Sequence, residues 1–259
     1  MARKYTKRKF RKGRTKKRSS KKISFKKKVQ AIINKNEEDK EAFTSLSTTG
    51  FNSGMNSSGD IMYIVPNVAQ GVLENQRIGN QISAKSISVK GAIVWAPSIG
   101  TFGTYANARL GVRIIICQPK AYNTYEAIFA NFSTWQNTLL RRGGTTVAFT
   151  GIMADLWSPI NTDAITKYHD KIYYLNGSYA ATNAGYSQLL GSTKMFSYRK
   201  TWKNGKILKY DPSVNSGISA TNFAPVMMLG YVHMDGSGPD TASTAVNFQW
   251  DSVFNYQDA

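Results

Sequence analysis

The first thirty residues, MARKYTKRKFRKGRTKKRSSKKISFKKKVQ, hold sixteen lysines and arginines and no acid, so their chemistry is that of a polycation. The cations are Arg3, Lys4, Lys7, Arg8, Lys9, Arg11, Lys12, Arg14, Lys16, Lys17, Arg18, Lys21, Lys22, Lys26, Lys27 and Lys28. Such a run repels itself and has little apolar surface to bury, so it is expected to stay extended until a polyanion neutralises it. Nucleic acid is the first partner this composition indicates, because each cation near a phosphate releases condensed counterions without reading a base. An anionic membrane surface competes for the same charge. A nuclear import signal and a contact to ribosomal RNA use the same residue types.

A second basic run is interleaved with aromatic residues, KMFSYRKTWKNGKILK over 194–209. Arg199, Lys200 and Lys203 are the candidate polyanion contacts here, with Lys194, Lys206 and Lys209 beside them. Phe196, Tyr198 and Trp202 either pack inward or stack on unpaired bases. Strand alternation would put Phe196, Tyr198 and Lys200 on one face and Ser197, Arg199 and Thr201 on the other. Arg77, Lys85, Lys90, Arg141 and Arg142 carry a weaker form of the same argument.

Catalytic chemistry finds no constellation. The only histidines, His169 and His233, lie in no HExxH or Cys/His metal spacing. His169 adjoins Asp170, but neighbouring strand residues point to opposite faces, so the two are not expected to act as a pair. Asp235, Asp240 and Asp251 around a GSGP turn read as polar loop chemistry rather than a cation site. Cys117, the single cysteine, lies in the apolar run GVRIIICQP and reads as a core residue. No enzyme, metal or cofactor is expected.

The elements that must position these groups are mainly strands. Residues 82–95 alternate apolar and polar around Ile87 and Val89, and 109–118 form a more buried run. Pro97 and Pro119 close them, since proline lacks the donor a ladder requires. Further strands are expected at 61–65, 145–149, 171–175, 194–202, 225–234 and 245–256. Their uneven spacing, with polar connections at 98–108, 176–193 and 210–222, suits a sandwich whose loops decorate its ends. A short helix is expected over 25–40 and one or two helical turns over 125–140. Of the chain's net charge of +19, the first thirty residues supply +16. Residues 1–41 are therefore expected to be a basic, largely disordered arm and 42–259 one domain. No apolar run of about eighteen residues exists to span a bilayer, and no secretory h-region opens the chain.

The arm, ENQRIGNQISAKSISVKG over 74–91 and RLGVRIIICQ over 109–118 together resemble the capsid proteins of circular Rep-encoding single-stranded DNA viruses, the circovirus-like group. The resemblance implies an all-β fold: a single viral jelly roll, an eight-stranded antiparallel β-sandwich with sheets lettered BIDG and CHEF. It also implies a closed T=1 icosahedral shell of sixty copies around a circular single-stranded DNA genome. On that pattern residues 83–95 would be the first strand, 109–118 the second and 245–254 the last. The arm would contact packaged DNA and, over residues 7–22, would serve as a nuclear localisation signal read by host import factors. The expected locations are then the virion and, during assembly, the host nucleus. RNA is not excluded as cargo, because basic arms also accompany jelly rolls in small RNA viruses. The rival reading is a β-sandwich that binds nucleic acid without forming shells, such as a movement protein or silencing suppressor.

Overall fold

An alternating apolar run in one sheet, over 81–95, and two continuously buried runs in the other, over 110–119 and 226–233, organise the sandwich. The computed structural model describes residues 39–258 except 52, 56–57, 74, 96–108, 177, 182–186, 191, 214–218, 237 and 240–245; for 45–49, 178–181 and 187–190 it describes the backbone only. The chain divides into two units, 1–37 and 38–259, and the fold is that of the second.

Twelve strands are present among the described residues: β1 (Asp39–Phe51), β2 (Ile61–Tyr63), β3 (Gln81–Trp95), β4 (Arg109–Pro119), β5 (Leu140–Arg142), β6 (Thr145–Val147), β7 (Ile165–Asn176), β8 (Ser178–Ala181), β9 (Ser187–Leu190), β10 (Thr193–Lys209), β11 (Val226–His233) and β12 (Val246–Asp258). Eight of them form two four-stranded sheets ordered β1-β12-β3-β10 and β2-β11-β4-β7, with all neighbours antiparallel. Lettered in chain order, the eight read B-I-D-G and C-H-E-F, which is the jelly-roll connectivity. β5–β6 and β8–β9 are separate hairpins inserted between these strands.

The lettering corrects one expectation. Residues 83–95 and 109–118 belong to the third and fourth jelly-roll strands, because β1 and β2 precede them. The 245–254 segment does contain the bulk of the last strand. β1 escapes a hydrophobicity reading because its sequence, DKEAFTSLSTTGF, is mostly polar and lies at a sheet edge. Its start at Asp39 also places the end of the 25–40 helix in a strand, while 25–38 lies outside the described residues. The connection at 176–193 contains the β8–β9 hairpin. That at 98–108 lies outside the described residues.

Alternation is kept where it was strongest. Ile87, Val89, Ile93 and Trp95 of β3 are buried while Lys90 is exposed. β11 is buried at every position, as a strand flanked on both sides and covered on both faces should be. Between the sheets runs an aromatic row: Phe51 to Phe248 at 6.4 Å between ring centroids, Phe248 to Phe196 at 6.0 Å, and Phe196 to Tyr173 at 6.4 Å. Gly91 makes the row possible, since a Cβ there would come within 2.6 Å of the Gln249 carbonyl and 2.8 Å of the Phe248 ring. The helical turns expected over 125–140 are α1 (Tyr125–Ala130), α2 (Phe132–Trp135) and a 3-10 turn at Gln136–Thr138. Thr124 caps α1 by accepting from the Ala127 N–H at 3.2 Å. Tyr125 anchors it to the core, donating to the Pro225 carbonyl at 2.9 Å and accepting from the Val65 N–H at 3.2 Å.

Candidate nucleic-acid interface

The sixteen arm cations from Arg3 to Lys28 lie outside the described residues. Arg199, Lys200 and Lys203 are all exposed on β10, but the strand does not gather them on one surface. Phe196 and Tyr198 are buried, so of the two roles open to them they take inward packing, and alternation leaves Ser197 and Arg199 on the outward face. Lys200 follows on the Phe196–Tyr198 side, opposite buried Ile87, and is itself exposed. Lys203 sits in a bulge, where the register with β3 jumps between Thr201 and Lys206.

Around Arg199 the outward face of the β1-β12-β3-β10 sheet forms a groove of about 430 Å³ lined by Ser86, Ser88, Lys90, Ser197, Arg199, Asp251, Val253 and Asn255. The register explains the lining. Ser197 and Asp251 both oppose Lys90, and Arg199 and Val253 both oppose Ser88. The polar half of the KSISVKG alternation thus supplies the middle of the groove. Two cations and one carboxylate leave it weakly positive, with serine hydroxyls and the Asn255 amide available to phosphate oxygens; that amide also donates to Ser86 Oγ at 3.1 Å.

Several basic residues that sequence offered to a polyanion are instead structural. Arg77 is 1 % exposed. Its guanidinium lies 4.5 Å from the Tyr210 ring centroid and donates to the Gly79 carbonyl and the Asn80 side-chain oxygen. Arg142 pairs with buried Asp155, and Arg141 with exposed Asp163. Lys90 stays on the outward face, and Lys85 is half-buried.

Sequence reasoning missed the most tightly held cation, Arg113, inside the apolar run of β4. It is 3 % exposed and makes a two-pronged pair with Asp170 of β7, Nε to Oδ1 at 2.8 Å and Nη2 to Oδ2 at 2.9 Å. Its remaining arm donates to the carbonyls of Asp155 and of Ser158, the latter at 2.8 Å. Asp155 accepts from the backbone N–H groups of Thr150, Gly151 and Ile152 at 2.8, 2.9 and 3.1 Å. This network ties the segment between β4 and β7 to the sheet. A single arginine in an apolar strand run, paired 57 residues away, was the available signal. Lys40 is a second such case: 4 % exposed, it reaches Asp258 at 2.7 Å and joins the two edge-side strands of its sheet.

His169 and Asp170 do face opposite ways. Asp170 serves Arg113, while the His169 ring packs 5.4 Å from Phe196 and 5.6 Å from Tyr198. Burial, with Lys171 adding to it, holds the imidazole below its usual range and so in the neutral form. His233 is buried against Tyr231. Burial pushes the Cys117 thiol up to about 12, and Asp170 contributes in the same direction. Among the described residues no three or more His, Cys, Asp or Glu side chains are grouped so as to hold a metal ion, and no helix is long and apolar enough to cross a membrane.

The strand order defines a jelly-roll β-sandwich. No protein-family model matches the chain, and no curated protein sequence does. Similar solved structures include the native virion of Kashmir bee virus at acidic pH, at 8 % identity over all of this chain and 81 % of that one, with a TM-score of 0.35. Mud crab tombus-like virus is similar at 12 % identity over 89 % and 97 % of the two chains, with a TM-score of 0.32. A heated full particle of Israeli acute paralysis virus is similar at 11 % identity over 84 % and 68 %, with a TM-score of 0.29. The fold assignment stands on the strand order and not on these alignments.

Proposed function

We propose that this chain is a structural capsid protein that assembles into a T=1 icosahedral shell of sixty copies and packages a circular single-stranded DNA genome through the basic arm that precedes β1. The observation that carries the reading is the union, in one chain, of B-I-D-G and C-H-E-F strand order with a polycation that precedes the first strand in sequence. A jelly roll has wedge ends and edge strands suited to repeated, individually modest contacts between identical copies. Sixteen positive charges per copy would give a sixty-copy shell the capacity to neutralise on the order of a thousand phosphates. Contacts of this type hold phosphate and not base edges, so packaging would be largely indifferent to sequence. Residues 7–22 would first address the chain to the host nucleus through import factors, and the virion would be its final location.

Deletion of residues 2–30 tests the reading. The truncated chain is expected to keep the β-rich fold and lose nuclease-resistant nucleic acid from whatever particles it forms, whereas the full chain retains it. Digestion of the extracted cargo with DNase or RNase separates the DNA assignment from RNA. Unaltered encapsidation by the truncated chain would refute the role of the arm.

A further inference from the structure

A second basic site lies on the folded domain, away from the groove around Arg199. Where the end of β4, the start of β7, the bulge of β10 and the segment before β11 meet, the surface holds a depression of about 250 Å³. Lys120 and Lys206 line it with Tyr168, Asn123 and Phe223, and no carboxylate does. Two ammonium groups that share a depression without a counter-charge form a site for an anion.

Both cations are held in place by contacts that leave further donors on each. The Lys206 ammonium lies 4.3 Å from the Phe223 ring centroid. That ring is wedged edge-on between Trp202 at 5.7 Å and Tyr168 at 6.0 Å. An aromatic face attracts the cation without accepting its protons as a carboxylate would, so the charge remains available. The bulge that brings Lys206 here turns at Gly205, with φ of +71° and with Ser83 Oγ only 2.1 Å from where a Cβ would stand. Lys120 donates to the Thr162 carbonyl at 2.7 Å, which uses one of its three protons. Burial raises the Tyr168 hydroxyl above its usual range, so it is neutral near pH 7, and its proton is directed at Gln118 Oε1 at 3.5 Å. The volume falls below the roughly 300–1,000 Å³ of sites that enclose a drug-sized ligand. It suits one phosphodiester group and the edge of its sugar, with a base left free to lie against Tyr168.

We infer that this depression is a phosphate subsite for single-stranded nucleic acid, with Lys120 and Lys206 as its ionic contacts. The inference rests on the packaging function proposed above. It adds that the folded domain, and not the arm alone, fixes a point on the strand.

The test uses the full chain and a short oligothymidylate carrying 5-iododeoxyuridine, cross-linked by ultraviolet light and mapped by peptide mass spectrometry. Cross-links are expected on the peptide bearing Tyr168 as well as on arm peptides. The double variant Lys120→Gln/Lys206→Met keeps the side-chain stems and should lower the domain cross-link about tenfold at subsaturating oligonucleotide, the scale of two lost phosphate contacts. Its arm cross-links should be unchanged. Should the variant fail to fold, the map of the unaltered chain decides alone. Cross-links confined to the arm would overturn the subsite and leave the arm's packaging role standing; their absence from arm and domain alike would overturn both. Inorganic phosphate is titrated separately and followed by its phosphorus linewidth. Broadening that depends on Lys120 and Lys206, with no oligonucleotide cross-link in the domain, would mark a free-anion site and overturn the nucleic-acid assignment.

Discussion

Replacing Arg113 with alanine should be among the most destabilising single changes in the domain. The guanidinium is almost wholly buried, and its loss strips the two-pronged pair from Asp170 and the donors from the Asp155 and Ser158 carbonyls. Removing one partner of a buried ion pair costs about 3–5 kcal/mol, chiefly because the other charge is left uncompensated. Asp170 keeps 20 % of its side-chain surface exposed, which lets water offset part of that penalty. Each orphaned carbonyl adds about 1 kcal/mol if no water replaces the donor. A loss near the low end, about 3 kcal/mol, is therefore expected, and it corresponds to a fall in Tm of about 6–12 °C for a domain of this size. Urea denaturation followed by tryptophan fluorescence measures it, with Asp170→Asn and the double variant closing a mutant cycle. The coupling energy should be a large fraction of the Arg113→Ala effect. A loss below about 1 kcal/mol, or additive single effects, would refute the claim that this arginine clamps the β4–β7 segment to the sheet.

Other perturbations test other parts of the fold. Gly91→Val should destabilise by about 1–3 kcal/mol, the cost of overpacking a closed site, because its side chain would meet the Gln249 carbonyl and the Phe248 ring; thermal melting reads the effect. Cys117, with its thiol raised to about 12, should resist iodoacetamide at pH 8 in the folded chain and react once urea unfolds it, as mass spectrometry of the alkylated protein would report. His169 is held below its unfolded value near 6.5, so the unfolded state binds the extra proton first. Its contribution is full above about pH 6.5 and is lost as pH falls toward the depressed folded value. His169→Phe should flatten stability over that interval in urea melts at stepped pH.

The sheet interiors were legible in the sequence because side-chain period and burial agree there: Ile87, Val89, Phe196 and Tyr198 point where alternation puts them. β1 was not, because an edge strand facing solvent needs few apolar residues, and Lys40 is buried against partners far along the chain, the Asp258 carboxylate and the Gln76 carbonyl. Missing β1, and leaving the expected strand at 61–65 out of the jelly-roll count, is what shifted the strand lettering by two. Arg113 and Arg77 were hidden for a related reason. A charged residue's burial depends on a partner or ring supplied by the fold, and composition assigns such a residue to the surface. The basic-aromatic run was read as a strand over 194–202, the first part of β10, yet its cations divide among the outward groove, the far side and the bulge, since the bulge that separates them is set by pairing with β3.

Closed assembly around nucleic acid is best seen by negative-stain microscopy of the expressed full chain, with absorbance at 260 and 280 nm before and after nuclease. Uniform spheres of about 20 nm with a nuclease-resistant absorbance excess at 260 nm are predicted. A discrete small species under all salt and pH conditions, binding nucleic acid without closing around it, would contradict the account.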